Sequence, residues 1–159
     1  MSRAVIALGS NLENPVQQVE AALAAIAALP GVDLLRRSSC YQTAPVGYAD
    51  QPDFINAVCE VESAQAPADL LAALLRVEQD FGRVRTFRNA PRVLDLDLLL
   101  VEGVSQQDEF LTLPHPRMHE RAFVMLPLAE MAPEWRIGEL GTAAELAANL
   151  DAGGVTRLA

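Results

Sequence analysis

Asp95 and Asp97 stand two residues apart in the apolar run Leu94 to Leu100, and the ten residues from 83 to 92 carry Arg83, Arg85, Arg88 and Arg92. Side chains two apart on a strand share a face, with Cα atoms about 6.5–7 Å apart, so both carboxylates project together while Leu94, Leu96 and Leu98 take the other side. Paired carboxylates suit a hard cation. Mg²⁺ takes one or two protein carboxylates and completes its shell with water and phosphate oxygens, and the planar fork of a guanidinium matches phosphate bidentately. A cationic segment running into an anionic strand therefore points to a Mg²⁺–nucleotide polyphosphate. No general base stands out beside it.

A second cluster of phosphate-capable donors follows in L-P-H-P-R-M-H-E-R-A-F-V: His115, Arg117 and Arg121. His115 and His119 are four apart, the helical spacing of a zinc pair, but Pro116 favours a turn and no third ligand offers itself. Farther back, Phe54 and Asn56 alternate onto one face of a strand-like segment beside a Pro- and Gly-rich loop. There a ring could stack and an amide could read a heterocycle, or Phe54 could simply be exposed beside a polar neighbour.

The composition frames these sites. The chain has 159 residues, 51% apolar and 21% charged, which suits one globular domain spanning residues 1–159. Its formal net charge is −9 and all twelve cations are arginines. Such a balance argues against nucleic acid as partner and for a small anion bound locally. The first ten residues hold too short an apolar run for a signal peptide, and no segment reaches membrane-spanning length, so a cytoplasmic protein is expected, without a membrane partner. Cys40 and Cys59 are too few for a disulfide framework and read as small buried residues.

The elements that must position the site follow from periodicity and breakers. Ala4 to Leu8 reads as a buried strand entering a tight turn at Gly9-Ser10-Asn11. Asn14 reads as the cap of a helix with Pro15 at its first position, Gln17 three residues on, and Val16, Val19, Leu23 and Ile26 on its apolar side; Pro30-Gly31 ends it. Val32 to Thr43 reads as one long strand, and 44–52 as loop. Asp53 to Glu62 reads as a strand with Ile55, Ala57, Cys59 and Val61 in the core and Phe54, Asn56, Val58, Glu60 and Glu62 on the less apolar face. Pro67 opens a second helix with Leu70, Leu71, Leu74, Leu75, Val77 and Phe81 as its stripe, Glu78 on its flank and Gly82 closing it. The order β-α-β-β-α-β matches a ferredoxin-like α+β sandwich, an antiparallel sheet backed by two helices, with C-terminal additions. Those additions are a broken helix from about Arg117 to Met131, Trp135 in a packing role, and a short helix near Thr142 to Leu150.

At this point the chain resembles, nearly end to end, the 6-hydroxymethyl-7,8-dihydropterin pyrophosphokinase family of folate biosynthesis. The resemblance rests on A-L-G-S-N-L, Q-P-D-F-I-N-A-V, G-R-V-R…A-P-R-V-L-D-L-D-L-L-L and L-P-H-P-R-M-H-E-R-A-F-V, in order. It implies an enzyme that moves the β,γ-diphosphate of ATP to the pterin hydroxymethyl group and releases AMP. It further implies that Asp95 and Asp97 hold two Mg²⁺ ions, that Arg83 and Arg92 clamp the phosphates, and that His115, Arg121, Arg85 and Arg88 assist. Phe54 and Phe123 would sandwich the pterin, Asn56 would bond its pyrimidine edge, Thr43 and the backbone near Val46 would complete the pocket, Asp95 would border it, and Gly9 would allow close approach. Glu78, Leu98 and Thr112 match positions around the nucleotide. Asn89, or Phe87 after a local shift, stands where some members carry Trp, and Phe110 where others have a basic residue. A monomer is expected. The alternatives are a kinase that transfers the γ-phosphoryl group and yields ADP, a non-catalytic nucleotide-binding ferredoxin-like module, and a metal-dependent phosphohydrolase.

Overall fold

The computed structural model describes residues 1–11, 14–44, 52–81 and 94–158. Within these, β1 (Ser2–Ser10), α1 (Pro15–Ala27), β2 (Val32–Arg37), β3 (Tyr41–Thr43), β4 (Phe54–Ser63), α2 (Pro67–Asp80) and β5 (Asp95–Val101) follow the expected β-α-β-β-α-β order once β2 and β3, two parts of the segment expected as one strand, are taken together. The sheet runs β5-β1-β4-β3-β8, with β2 also on β4 and β8 (Val155–Arg157) closing the far edge. Every pairing is antiparallel, as the ferredoxin-like arrangement requires.

Pattern explains the first core. Ile6 and Leu8 of β1, Ala57, Cys59 and Val61 of β4, and Leu96 and Leu98 of β5 all fall on the face that Val19, Leu23 and Ile26 of α1 and Leu70, Leu74 and Val77 of α2 cover. Two residues of the expected helix stripes lie outside it: Val16 is 41% exposed and Leu75 is 44% exposed, because each helix offers the sheet only one narrow side. Asn14 adopts a left-handed conformation (φ 59°, ψ 67°) and makes no side-chain cap hydrogen bond, so the expected cap is not formed. A left-handed residue at that position turns its side chain away from the first helical N–H groups, a conformation asparagine tolerates.

The other face was expected to be less apolar, and here the structure differs. Val5, Val58, Leu99 and Leu100 are at most 3% exposed, packed beneath Val124, Met125 and Leu128 of α3 (Ala122–Met131), Ile137, and Ala143 and Ala147 of α4 (Ala143–Ala148). The sheet is thus covered on both faces. α4 opens with a capping box in which Thr142 and Glu145 bond reciprocally to backbone N–H groups. A short 3₁₀ turn (Met118–Glu120) precedes α3, giving the broken helix read from the prolines. Of the hairpin β6 (Gln106–Gln107) and β7 (Thr112–Leu113) only a strand end before Pro114 was read from the sequence, and β6 and β8 were not, since two- and three-residue strands carry almost no periodicity.

The segment expected as one strand from Val32 to Thr43 is two. Ser38 breaks it: its N–H donates to Val58 O at 2.9 Å while its Oγ accepts from Val58 N at 2.9 Å, so a side-chain oxygen replaces the backbone acceptor. A bulge also sits at Leu35, between Leu34 opposite Val61 and Arg36 opposite Glu60. Glu60, 2% exposed, thereby meets Arg36 at 2.7 Å and accepts from Trp135 Nε1 at 2.6 Å, while Arg3 lies 5.6 Å from the Trp135 ring centre. Burial alone would raise the Glu60 pKa, but these two hydrogen bonds, with the Arg36 and Arg3 charges, outweigh it and hold the carboxyl below its ordinary value. Trp135 packs, as expected.

Candidate active site

Register brings the polar residues of the second face into rows. Asp95 of β5 lies opposite Gly9 of β1, Gly9 opposite Asn56 of β4, and Asn56 opposite Tyr41 of β3. The next row holds Asp97, Ala7 and Val58. Directly opposed residues in an antiparallel pair point to one face, so Asp95, Asp97, Asn56 and Phe54 share the side away from α1 and α2. The two aspartates are partly exposed while Leu94, Leu96 and Leu98 are at most 4% exposed, the alternation read from the sequence.

Gly9 has a steric role in that row. A Cβ on it would stand 2.8 Å from Asn56 Oδ1, inside any real contact, so only glycine lets the Asn56 amide lie across β1. Asn56 is 8% exposed and Thr43, opposite Phe54, is 7% exposed. Among the described residues, Asn56 Nδ2 and Thr43 Oγ1 are buried without a hydrogen-bond partner. These are diagonal neighbours on one face, and each unanswered group costs about 1–3 kcal/mol. Two adjacent orphaned groups call for a partner, and the polar edge of a ligand is one that answers both.

The helix that overlies this face carries the next residues. α3 packs on β4 and β3, with Phe123 in its first turn and partly buried, and the Arg121 guanidinium 5.8 Å from the Phe123 ring centre. Its placement is fixed from its far end. Glu130 accepts from Ser39 N at 3.0 Å and Tyr41 Oη at 2.9 Å and pairs with Arg157 at 3.1 Å. Burial, with the Glu130 bond added, pushes the Tyr41 phenol up to about 12, so it stays a donor at any working pH.

His115 is placed by a feature the sequence did not disclose. Between Val5 and Ile6 the β1–β5 register slips, making Leu99 an extra residue, and the Leu99 carbonyl accepts from His115 N at 2.8 Å. The bulge both lets Leu99 and Leu100 face the second core and holds His115 beside the aspartate strand. The His115 Nδ1 accepts from Arg117 N at 3.2 Å, leaving Nε2–H as the donor of the neutral ring. Burial first, then the charges of Arg121 and Arg117, lower its pKa.

Other sequence-derived residues fall less simply. Glu78 is 2% exposed at the end of α2, and its Oε2 accepts from Leu96 N at 2.7 Å. Leu98, expected near the nucleotide, points into the first core and is 3% exposed. Thr112 is half-buried in β7. Arg83, Arg85, Arg88 and Arg92, with Val46, Phe87 and Asn89, lie outside the described residues. Among the described residues no group of three His, Cys, Asp or Glu forms a metal cage. Ser10 and Asn11, 0% and 1% exposed, were not singled out. Asn11 Nδ2 donates to Pro52 O at 3.2 Å, joining the β1 turn to the approach of β4. A cleft of about 400 Å³ also opens at the other end of β5, lined by Arg3, Arg36, Trp135 and Arg136. Arg3 and Arg36 are already answered there by Glu102, Glu60 and Glu134, which leaves little charge for a ligand.

Residues 5–133 match the family model described as 7,8-dihydro-6-hydroxymethylpterin-pyrophosphokinase (HPPK). The chain belongs to this family. A 2-amino-4-hydroxy-6-hydroxymethyldihydropteridine pyrophosphokinase of Haemophilus influenzae is 48% identical over 134 residues, 84% of each chain. That of Pseudomonas aeruginosa is 43% identical over 158 residues, covering 99% of this chain and 98% of its own. Among solved structures, Plasmodium falciparum HPPK-DHPS with pteroate aligns at a TM-score of 0.75 and 15% identity, over 92% of this chain and 44% of that one. At such identity the likeness speaks for the fold alone, and this chain spans less than half of that protein. The HPPK family fold is the expected ferredoxin-like one, extended by the second layer of helices.

Proposed function

We propose that the protein transfers the β,γ-diphosphate of ATP to the hydroxymethyl oxygen of 6-hydroxymethyl-7,8-dihydropterin, giving AMP and the pterin diphosphate in folate biosynthesis. The observation that carries the reading is the row Asp95–Gly9–Asn56, where a carboxylate pair and an unanswered amide donor share one face of three adjacent strands. A pterin offers the matching chemistry: its flat ring has carbonyl and ring-nitrogen acceptors for Asn56 Nδ2 and a partner for the Thr43 hydroxyl. Phe54 and Phe123 are the aromatic residues available to stack on it.

In this reading Asp95 and Asp97 hold Mg²⁺, two ions by family resemblance, and their partial exposure on the polar face fits that donor set. When bound, the metal would supply charge neutralisation along the triphosphate and acidify the pterin hydroxyl. The chain's own residues do the rest. His115, held neutral, donates Nε2–H to a phosphate oxygen, Arg121 adds charge from the start of α3, and Arg83, Arg85, Arg88 and Arg92 clamp the phosphates. One bond forms, from the hydroxymethyl oxygen to Pβ, and one breaks, from Pβ to the oxygen that leaves on AMP; the hydroxyl proton goes to solvent. Positioning and fixed charge suffice for such a transfer. The proposal includes a single catalytic domain over residues 1–159, acting as a cytoplasmic monomer.

The test is an incubation with ATP, Mg²⁺ and the hydroxymethyl pterin, resolving AMP from ADP and weighing the pterin product. AMP with a pterin heavier by a diphosphate is expected. ADP would assign a γ-phosphoryl kinase, and nucleotide binding without turnover a non-catalytic module.

A further inference from the structure

Among the described residues β5 is the outermost strand of the sheet, with a strand neighbour, β1, on one side only. Asp95 and Asp97 pair across that side with Gly9 and Ala7. Leu96, between the aspartates, stands opposite Leu8; successive residues of an antiparallel ladder turn their backbone groups to alternate sides, and the bond its N–H makes shows that Leu96 turns away from β1. There its N–H meets Glu78 Oε2 at 2.7 Å. A buried carboxylate is costly unless hydrogen-bonded, and a bond from N–H to an ionised oxygen is about twice as strong as a neutral one. Glu78 is 2% exposed and stands five residues before Arg83.

We infer that Glu78 is a positioning residue for the metal-holding strand: its carboxylate anchors the main chain between Asp95 and Asp97, so that an edge strand is fixed on both sides where the cation loads. This rests on the functional reading above and changes the role expected for Glu78 from a contact of the nucleotide to a support acting through the two aspartates. A free edge would let the carboxylates shift relative to each other as a triphosphate binds. Groups that orient metal-holding residues typically contribute tenfold or more to affinity.

The experiment is Mn²⁺ titration, read by loss of the free-ion electron paramagnetic resonance signal in the presence of α,β-methylene-ATP, on the wild type, Glu78→Ala and Glu78→Asp. Amide exchange at Leu96 and steady-state kinetics accompany it. Mn²⁺ affinity is expected to fall about tenfold in the alanine variant and less in the aspartate variant, whose carboxylate is drawn back by one methylene. Leu96 exchange should speed up and kcat should fall, with the KM for pterin unchanged. Should the alanine variant not fold, the milder aspartate variant decides. Mn²⁺ affinity within about twofold of wild type in a folded variant with an exposed Leu96 amide overturns the proposal. Weakened metal-free binding of the analogue at unchanged Mn²⁺ affinity also overturns it, in favour of direct nucleotide contact. The titration needs neither pterin nor turnover, so a wild type that ignores pterin overturns the functional reading alone.

Discussion

Gly9 and Asn56 face each other across β1 and β4, and the Asn56 amide oxygen lies 2.8 Å from where a Cβ on residue 9 would stand. The glycine is therefore the seat of the asparagine. In Gly9→Ala the methyl group must displace the amide, whose neighbour atom Nδ2 is the unanswered donor. The KM for pterin should rise tenfold or more, an energy of about 1.4 kcal/mol that one misplaced hydrogen bond accounts for. ATP affinity, measured by calorimetry without pterin, should stay near wild type.

Thr43→Val removes a buried hydroxyl that has no partner among the described residues and leaves the shape unchanged. Unfolding by urea should show a variant as stable as wild type or more so, by up to about 1 kcal/mol, because a desolvated group is deleted rather than a bond. Pterin affinity should drop. A loss of stability would mean the hydroxyl is satisfied in the free protein.

His115 gives a pH signature. Its folded pKa is lowered, first by burial and then by Arg121 and Arg117, so between that value and the ordinary histidine value near 6.5 the unfolded chain binds more protons. Stability then rises with pH through this window and is lost as pH falls below about 6.5. His115→Gln should flatten that slope in urea melts taken across the window. The same variant keeps an N–H donor, so phosphate binding should weaken only modestly.

Glu60 governs the second layer. Its pKa is held low against burial by Arg36 and Trp135, so its contribution is present above the unfolded value of 4.5 and lost as pH drops through the lower folded one. Glu60→Ala should cost about 1–3 kcal/mol, chiefly because the indole N–H of Trp135 loses its acceptor, while the half-exposed Arg36 keeps Glu134 and the Met131 carbonyl. Thermal melts would give the loss, and Trp135 fluorescence should shift with it. The pterin KM should change little.

Much of this was legible because its signals are local. Asp95 and Asp97 came out on one side and Leu96 and Leu98 on the other because strand alternation needs no partner to be read. Pro15 and Pro67 marked the first residues of α1 and α2, while α1 stops at Ala27, ahead of Pro30-Gly31, and Gly82 lies outside the described residues. The break at Ser38 was hidden, since a serine that swaps its hydroxyl for a backbone acceptor looks like any strand serine. Val58 and Glu60 were assigned to a less apolar face because nothing near them in sequence shows that α3, some sixty residues later, covers it.

What the sequence alone determined is the inventory: which residues can hold phosphate, cation and a flat ring, and which elements carry them, all set by spacing within single strands and helices. Tertiary structure decided the arrangement. The row of Asp95, Gly9, Asn56 and Tyr41, the bulge at Leu99 that catches His115, and the Glu78 bond to Leu96 each depend on register between segments far apart in the chain. Register is chosen by burying both faces of the sheet at once, a condition that no single segment expresses by itself.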